Sequence, residues 1–130
     1  MELFYFRKLE VYQNSKSAVR YITSLLNKYP AEERFALCSL IRRAATSIPI
    51  NIAEGFGRFS SKEKARFIEI AYGSLTEVIC ELVLSLEQNY INKEEFDTAE
   101  QKLIVIAKQL ASLHSTVLKN GDYDPLRRNP

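Results

Sequence analysis

The sequence predicts an all-α fold: an antiparallel up-down-up-down four-helix bundle over residues 1–120, with a flexible C-terminal tail over 121–130. Three observations carry this. Apolar residues recur at alternating steps of three and four in four separate segments, the period of an amphipathic helix. Helix start and stop signals punctuate those segments, at Pro30, Ser60, Asn92 and Gly121. Glycine and proline number only four each, too few for the turns of an all-β chain.

The first helix is expected from about Arg7 to Lys28. Val11, Ser15, Ala18, Ile22, Leu25 and Tyr29 form its stripe, and Pro30 ends it, because the residue before a proline avoids the helical region. The second is expected to open at Pro30, with Glu32 and Glu33 at the positive end of its dipole and Cys38, Ile41, Ala45, Ile48 and Ile52 as its seam. It carries Pro49 in its interior, which removes one backbone bond, crowds the carbonyl of Ala45 and predicts a kink at a cost of about 3 kcal/mol. A parallel stripe of Leu40, Ala44, Ser47, Asn51 and Gly55 is small enough to admit another backbone closely, and places Asn51 where it must find hydrogen-bond partners.

Ser60 and Glu63 read as a capping box opening the third helix, whose seam is Ile68, Ala71, Leu75, Val78 and Leu82. Gly73 in its interior costs about 1 kcal/mol against alanine and predicts close packing there. Asn92 and Glu95 open the fourth helix. Phe96, Ala99, Leu103, Ile106, Leu110, Leu113 and Val117 line it, Lys119 sits in its last turn and Gly121 stops it. Helices of roughly 22 to 28 residues are rods of about 33 to 42 Å, and short connections make successive rods antiparallel.

Composition bounds the function. At 130 residues, with 46% hydrophobic and 26% charged content, the chain suits one globular domain. No window reaches the apolar length of a membrane span, and the N-terminus lacks the pattern of a signal peptide, so a cytoplasmic protein is expected. Cys38 and Cys80 fall in apolar helical runs and read as reduced, buried residues. The net charge of +2 hides a polarity: up to Arg66 there are 12 basic against 6 acidic residues, and from Phe67 onward 6 against 10. Such polarity suits a basic surface meeting a polyanion, or contact between copies of the chain.

Catalysis is not expected. His114 is the single histidine and has no carboxylate at metal-ligand spacing, and a di-iron bundle needs Glu-x-x-His pairs that are absent. Gly55-Phe56-Gly57 lacks the strand and lysine of a phosphate loop, and neither cysteine has a nucleophile motif. No catalytic residue, metal, cofactor or small-molecule substrate is therefore expected.

The candidate binding residues are basic. Arg58, Lys62, Lys64 and Arg66 cluster around the second connection, where Lys62 and Arg66 repel each other at a spacing of four, a small conflict that a polyanion would relieve. Arg42 and Arg43 point about 100° apart on the second helix, so at least one faces outward. The bland alternative for all six is an ordinary solvated surface. Phe56 and Phe59 suit base stacking, or packing at the bundle end. Glu54 and Arg58 stand in the order that favours an i,i+4 ion pair. Pro49, Asn51, Glu54, Gly55 and Gly73 read as architectural.

Arg42-Arg43-Ala44-Ala45-Thr46-Ser47-Ile48-Pro49, Asn51-Ile52-Ala53-Glu54-Gly55-Phe56-Gly57-Arg58, Ser60 and Gly73-Ser74-Leu75-Thr76-Glu77, together with Phe6-Arg7-Lys8-Leu9-Glu10-Val11-Tyr12, carry a resemblance. The chain resembles the 23S rRNA intervening-sequence proteins from about Phe6 to Leu118. These are small bacterial four-helix bundles, grouped with the accessory variability determinant of diversity-generating retroelements. The resemblance implies a homopentameric ring and association with RNA, DNA or a ribonucleoprotein. The retroelement members are much more basic than this chain. A structural or adaptor homo-oligomer, acting through protein contacts without nucleic acid, is the alternative expectation.

Overall fold

A computed structural model describes residues 3–122. Four helices carry the fold: α1 (Glu10–Leu25), α2 (Leu37–Phe56), α3 (Ser61–Glu87) and α4 (Lys93–Asn120), with 3₁₀ turns at Tyr5–Lys8, Leu26–Lys28 and Ala31–Glu33. There is no strand among the described residues. Helix α1 packs on α2 and α4, α2 on α3, and α3 on α4, which closes a ring of four neighbours. Cross-helix bonds fix the directions. Asn14 meets Gln109 and Lys28 meets Glu95, so α1 and α4 run antiparallel. Likewise Ser47 meets Ser74 while Gly55 lies against Lys64 and Phe67, so α2 and α3 run antiparallel. The expected all-α four-helix bundle is the observed fold, with α1 against α4 and α2 against α3 antiparallel.

The core follows the sequence seams. Ile22, Ile41, Ile48, Ile52, Ile68, Val78, Leu82, Leu103, Ile106 and Leu110 are all but fully buried along the axis. The buried hydroxyls of Ser15 and Ser85 donate to the carbonyls of Tyr12 and Glu81 at 2.7 and 2.8 Å, so neither is stranded in the apolar interior.

Two helix starts differ from expectation. The first helix begins at Glu10, because Leu9 takes an extended backbone (φ −69°, ψ 133°) and separates Tyr5–Lys8 as a 3₁₀ turn. The second begins at Leu37 and not at Pro30. Ala36 breaks the path at φ −115°, ψ −102° and offers no side-chain cap. The Glu33 carboxylate is engaged elsewhere: one oxygen accepts from the Leu37 N–H at 3.4 Å and the other from the Tyr90 hydroxyl at 2.8 Å. Charge favoured an acid at a helix N-terminus, but Glu33 serves α2 from outside the helix rather than from its first turn. Helix α2 then continues through Pro49 as one element.

At the start of α3 only half the expected box forms. Ser60 Oγ accepts from the Glu63 N–H at 3.1 Å, while the Glu63 carboxylate lies 3.8 Å from Arg66. Asn92 and Glu95 form both halves, at 2.8 and 2.9 Å. Between α3 and α4, Asn89 takes a left-handed conformation (φ 63°), with Tyr90 N–H donating to Ser85 and Asn89 N–H to Leu86. This is the Schellman arrangement, and asparagine substitutes for the usual glycine. Asp122 accepts from the Ser61 N–H at 2.7 Å, tying the residues after α4 to the start of α3. The tail expected over 121–130 lies outside the described residues from 123 onward.

Candidate functional site

The basic cluster expected around the second connection is largely engaged within the chain. Lys64 is a correction: it is 8% exposed, its ammonium donates to the Arg58 carbonyl just beyond α2 and lies over the Phe56 ring, and burial lowers its pKa. It faces inward because it follows Ser60 by one helical turn and points at the carbonyls left over at the end of α2. Arg58 pairs with Glu54 at 2.9 Å and rests on the Phe67 ring at 4.6 Å. Arg66 lies 3.8 Å from Glu63. Lys62 is exposed and makes no polar contact among the described residues. The four residues are brought together, yet one lone ammonium is left free for a partner. Phe56 is half-buried beneath Lys64, while Phe59 is exposed.

The architectural residues divide. Ser47 Oγ and Ser74 Oγ lie 2.8 Å apart, and the Asn51 amide donates to both Ser47 Oγ and the Ser47 carbonyl at 2.8 Å. A Cβ at Gly55 would stand 3.2 Å from Phe67 Cβ and 3.3 Å from the Lys64 carbonyl. The small stripe thus serves the α2–α3 seam inside the bundle. Gly73 does not: it is exposed, and a Cβ there would meet nothing within 4 Å. Close packing at Gly73, expected from its helix-interior position, is absent within the chain. Glycine on the outward face of α3 costs helix stability with no return inside this bundle.

Arg42 and Arg43 are both exposed at the other end of α2, and neither forms an ion pair among the described residues. They diverge as expected. Arg43 turns toward α3, where the Glu81 carboxyl is pushed up to about 7 by burial and by Glu77, with Arg43 opposing the rise. Arg42 turns the other way and lines a cavity of about 390 Å³ between the α1–α2 connection and α2, together with Arg34, Phe35, Asn27 and Ser39. Cys38 is buried beside it, and burial followed by Glu33 raises its thiol pKa while Arg42 and Arg34 oppose the rise. Cys80, expected to be buried as well, is exposed on α3. Phe35 at the rim is 89% exposed, the largest exposure among the big apolar side chains.

Arg34 and Phe35 were not singled out in the sequence, because the second helix was expected to run through them. One signal was present. Phe35 precedes Cys38 by three residues, at the spacing of the α2 seam, so a continuous helix would have buried it. The break at Ala36 turns it out.

A larger groove, about 770 Å³, lies beside Pro49 and is lined by Phe4, Phe6, Tyr12, Ile50, Phe56 and Phe59 with few polar groups. Among the described residues no group of three or more His, Cys, Asp or Glu side chains stands close enough to hold a metal. No helix among them is long and apolar enough to cross a membrane.

The fold agrees with a comparison of the chain with known proteins. The family model described as 23S rRNA-intervening sequence protein matches residues 7–112. The chain belongs to the 23S rRNA-intervening sequence protein family. A crystal structure of a protein of unknown function from the S23 ribosomal protein family of Bacteroides thetaiotaomicron is similar to it, with a TM-score of 0.71 and 26% identity. The likeness covers 80% of this chain and 97% of that one. No curated protein matches. The family match includes every candidate basic residue from Arg42 to Arg66.

Proposed function

We propose that this protein is a non-enzymatic, self-associating, cytoplasmic bundle that accompanies RNA or a ribonucleoprotein. The observation that carries the reading is the pair Arg42 and Arg43, together with Lys62. They are exposed cations without an ion partner among the described residues, in a chain whose family is described by 23S rRNA. Exposed cations outside any salt bridge are available to phosphates, and each phosphate neutralised releases a counterion. A few contacts per subunit bind weakly alone and strongly when several copies share one scaffold.

Self-association is supported by the apolar side chains that the bundle leaves outside. Leu40, Ile50, Ile70 and Leu84 on α2 and α3 are 38 to 63% exposed. The pentamer implied by the resemblance is the assembly we propose. A protein-only adaptor is the second reading, favoured by the low net charge of +2.

Binding of a labelled structured RNA and a matched single-stranded DNA is the test, measured across a salt series at known oligomeric mass. Affinity falling steeply with log salt, by an amount that implies several phosphates per oligomer, supports the nucleic-acid reading. An oligomer that binds neither at low salt leaves the adaptor. A monomer at micromolar concentration defeats the assembly.

A further inference from the structure

We propose that the cavity between the α1–α2 connection and α2 holds one nucleotide of a single strand, its base on Phe35 and its phosphate between Arg34 and Arg42. This rests on the RNA reading above and gives it a place on the molecule. The three residues lie on two elements that the break at Ala36 brings to one cavity. Neither arginine has an ion partner among the described residues, whereas Arg58, Lys64 and Arg66 all have partners within the chain. The volume of about 390 Å³ falls within the range of ligand pockets, roughly 300 to 1,000 Å³. The neighbouring Glu33 has one oxygen on the Tyr90 hydroxyl and the other on the Leu37 N–H, and it forms no salt bridge with either arginine among the described residues.

Phe35 decides the ligand class. An anion alone needs the arginines and gains nothing from an exposed phenyl ring. A nucleotide uses both: aromatic rings stack bases without regard to sequence, and arginine forks match phosphate. A base in a duplex is already stacked on its neighbours, so the site selects single strands, loops or ends. Asn27 and Ser39 line the same cavity and supply neutral polar groups for sugar or base edges. The site stands at the opposite end of α2 from the Arg58–Arg66 cluster, about 30 Å away along a helix of 20 residues.

The experiment is fluorescence anisotropy of the full chain with a short single-stranded RNA, an abasic oligonucleotide of equal phosphate count, a duplex and a poly-glutamate peptide. The variants are Phe35→Ala, Phe35→Tyr, Arg34→Gln, Arg42→Gln and Lys62→Gln. All four sites are on the surface, and thermal melts confirm folding. Phe35→Ala is expected to weaken single-stranded RNA by about 5- to 150-fold while Phe35→Tyr retains binding. Phe35→Ala should leave the abasic strand unaffected. Each arginine variant should lower affinity and flatten the log-salt slope by about 0.7. Wild-type RNA binding that none of the Phe35, Arg34 or Arg42 changes alters overturns the cavity and leaves the RNA reading standing. Equal loss on the abasic strand, or binding of poly-glutamate through the same three residues, overturns the nucleotide assignment. A wild type that binds no nucleic acid at low salt overturns both.

Discussion

Ser47 on α2 and Ser74 on α3 share a hydrogen bond of 2.8 Å across the bundle, and the Asn51 amide completes the group from one turn further along α2. Three short polar side chains at a seam between two long helices fix which turn of one helix faces which turn of the other. Register is otherwise weakly specified, because apolar side chains of similar size slide past one another.

The seam makes Ser74 sensitive to size more than to polarity. Ser74→Ala removes one neutral hydrogen bond while Ser47 keeps its bond from Asn51, and should cost about 1 kcal/mol. Ser74→Leu forces extra volume between helices that approach closely, and should cost about 2 to 3 kcal/mol. Chemical denaturation of both variants checks the order. Equal losses would mean that the seam is loosely packed.

Gly55 and Gly73 respond in opposite directions to the same substitution. At Gly55 a methyl group would press on Phe67 Cβ at 3.2 Å and on a backbone carbonyl at 3.3 Å, and the backbone cannot step aside. Gly55→Ala should therefore destabilise by about 1 to 2 kcal/mol, after allowing for the gain in helix propensity. Gly73→Ala meets open space and should stabilise the folded chain by about 0.5 to 1 kcal/mol. Melting temperatures measure both. A loss of oligomer in Gly73→Ala, with the higher melting point retained, would place the outer face of α3 in the subunit contact.

The seams were legible in the sequence because burial imposes a period that composition cannot hide. Cys38, Ile41, Ala45, Ile48 and Ile52 are buried as their spacing predicts. Helix starts were less legible. Nothing local in Ala31–Ala36 forbids a helix, and one partner of that segment, Tyr90 on the Glu33 carboxylate, lies 57 residues away in sequence. The intrachain partners of the basic cluster were illegible for a related reason. Spacing places Lys64 among other cations, but only the folded end of α2 shows an acceptor for its ammonium. Arg34 and Phe35 escaped notice because they lie in that same unpredicted break.

Lys64 gives a clean separation of structure from binding. Its ammonium is held by the Arg58 carbonyl and shielded by Phe56, so a polyanion at the surface does not reach it. Lys64→Met keeps the aliphatic packing and should leave RNA affinity and its salt slope at wild-type values. The depressed pKa means that the native state releases this proton before the unfolded chain does, so wild-type stability rises as pH climbs through the alkaline range below about 10.5. Lys64→Met should lose that rise, visible as a smaller gain in melting temperature on going from neutral to alkaline buffer.

Glu81 provides a pH dependence of opposite sign. Its carboxyl is 6% exposed on α3, one oxygen has no hydrogen-bond partner, and burial with Glu77 beside it lifts its pKa from 4.5 to about 7. The group facing it from α2 is Arg43, which lowers the pKa without restoring it. Because the folded value is the higher one, the native state binds more protons than the unfolded chain between the two values. The stability contributed by the neutral acid is present below about 4.5 and is lost as pH rises through about 7. Glu81→Gln stays neutral throughout. It should raise stability above pH 7 by on the order of 1 to 2 kcal/mol, discounted for screening along the solvent side of the seam, and change little near the lower limit. On this chain length that is a rise of several degrees in melting temperature. Glu77→Gln should produce a smaller version of the same effect, since it removes the like charge and leaves the burial. Melts of the three proteins at acidic and alkaline pH decide the matter. A Glu81→Gln gain of equal size at both would trace it to packing and not to the charge.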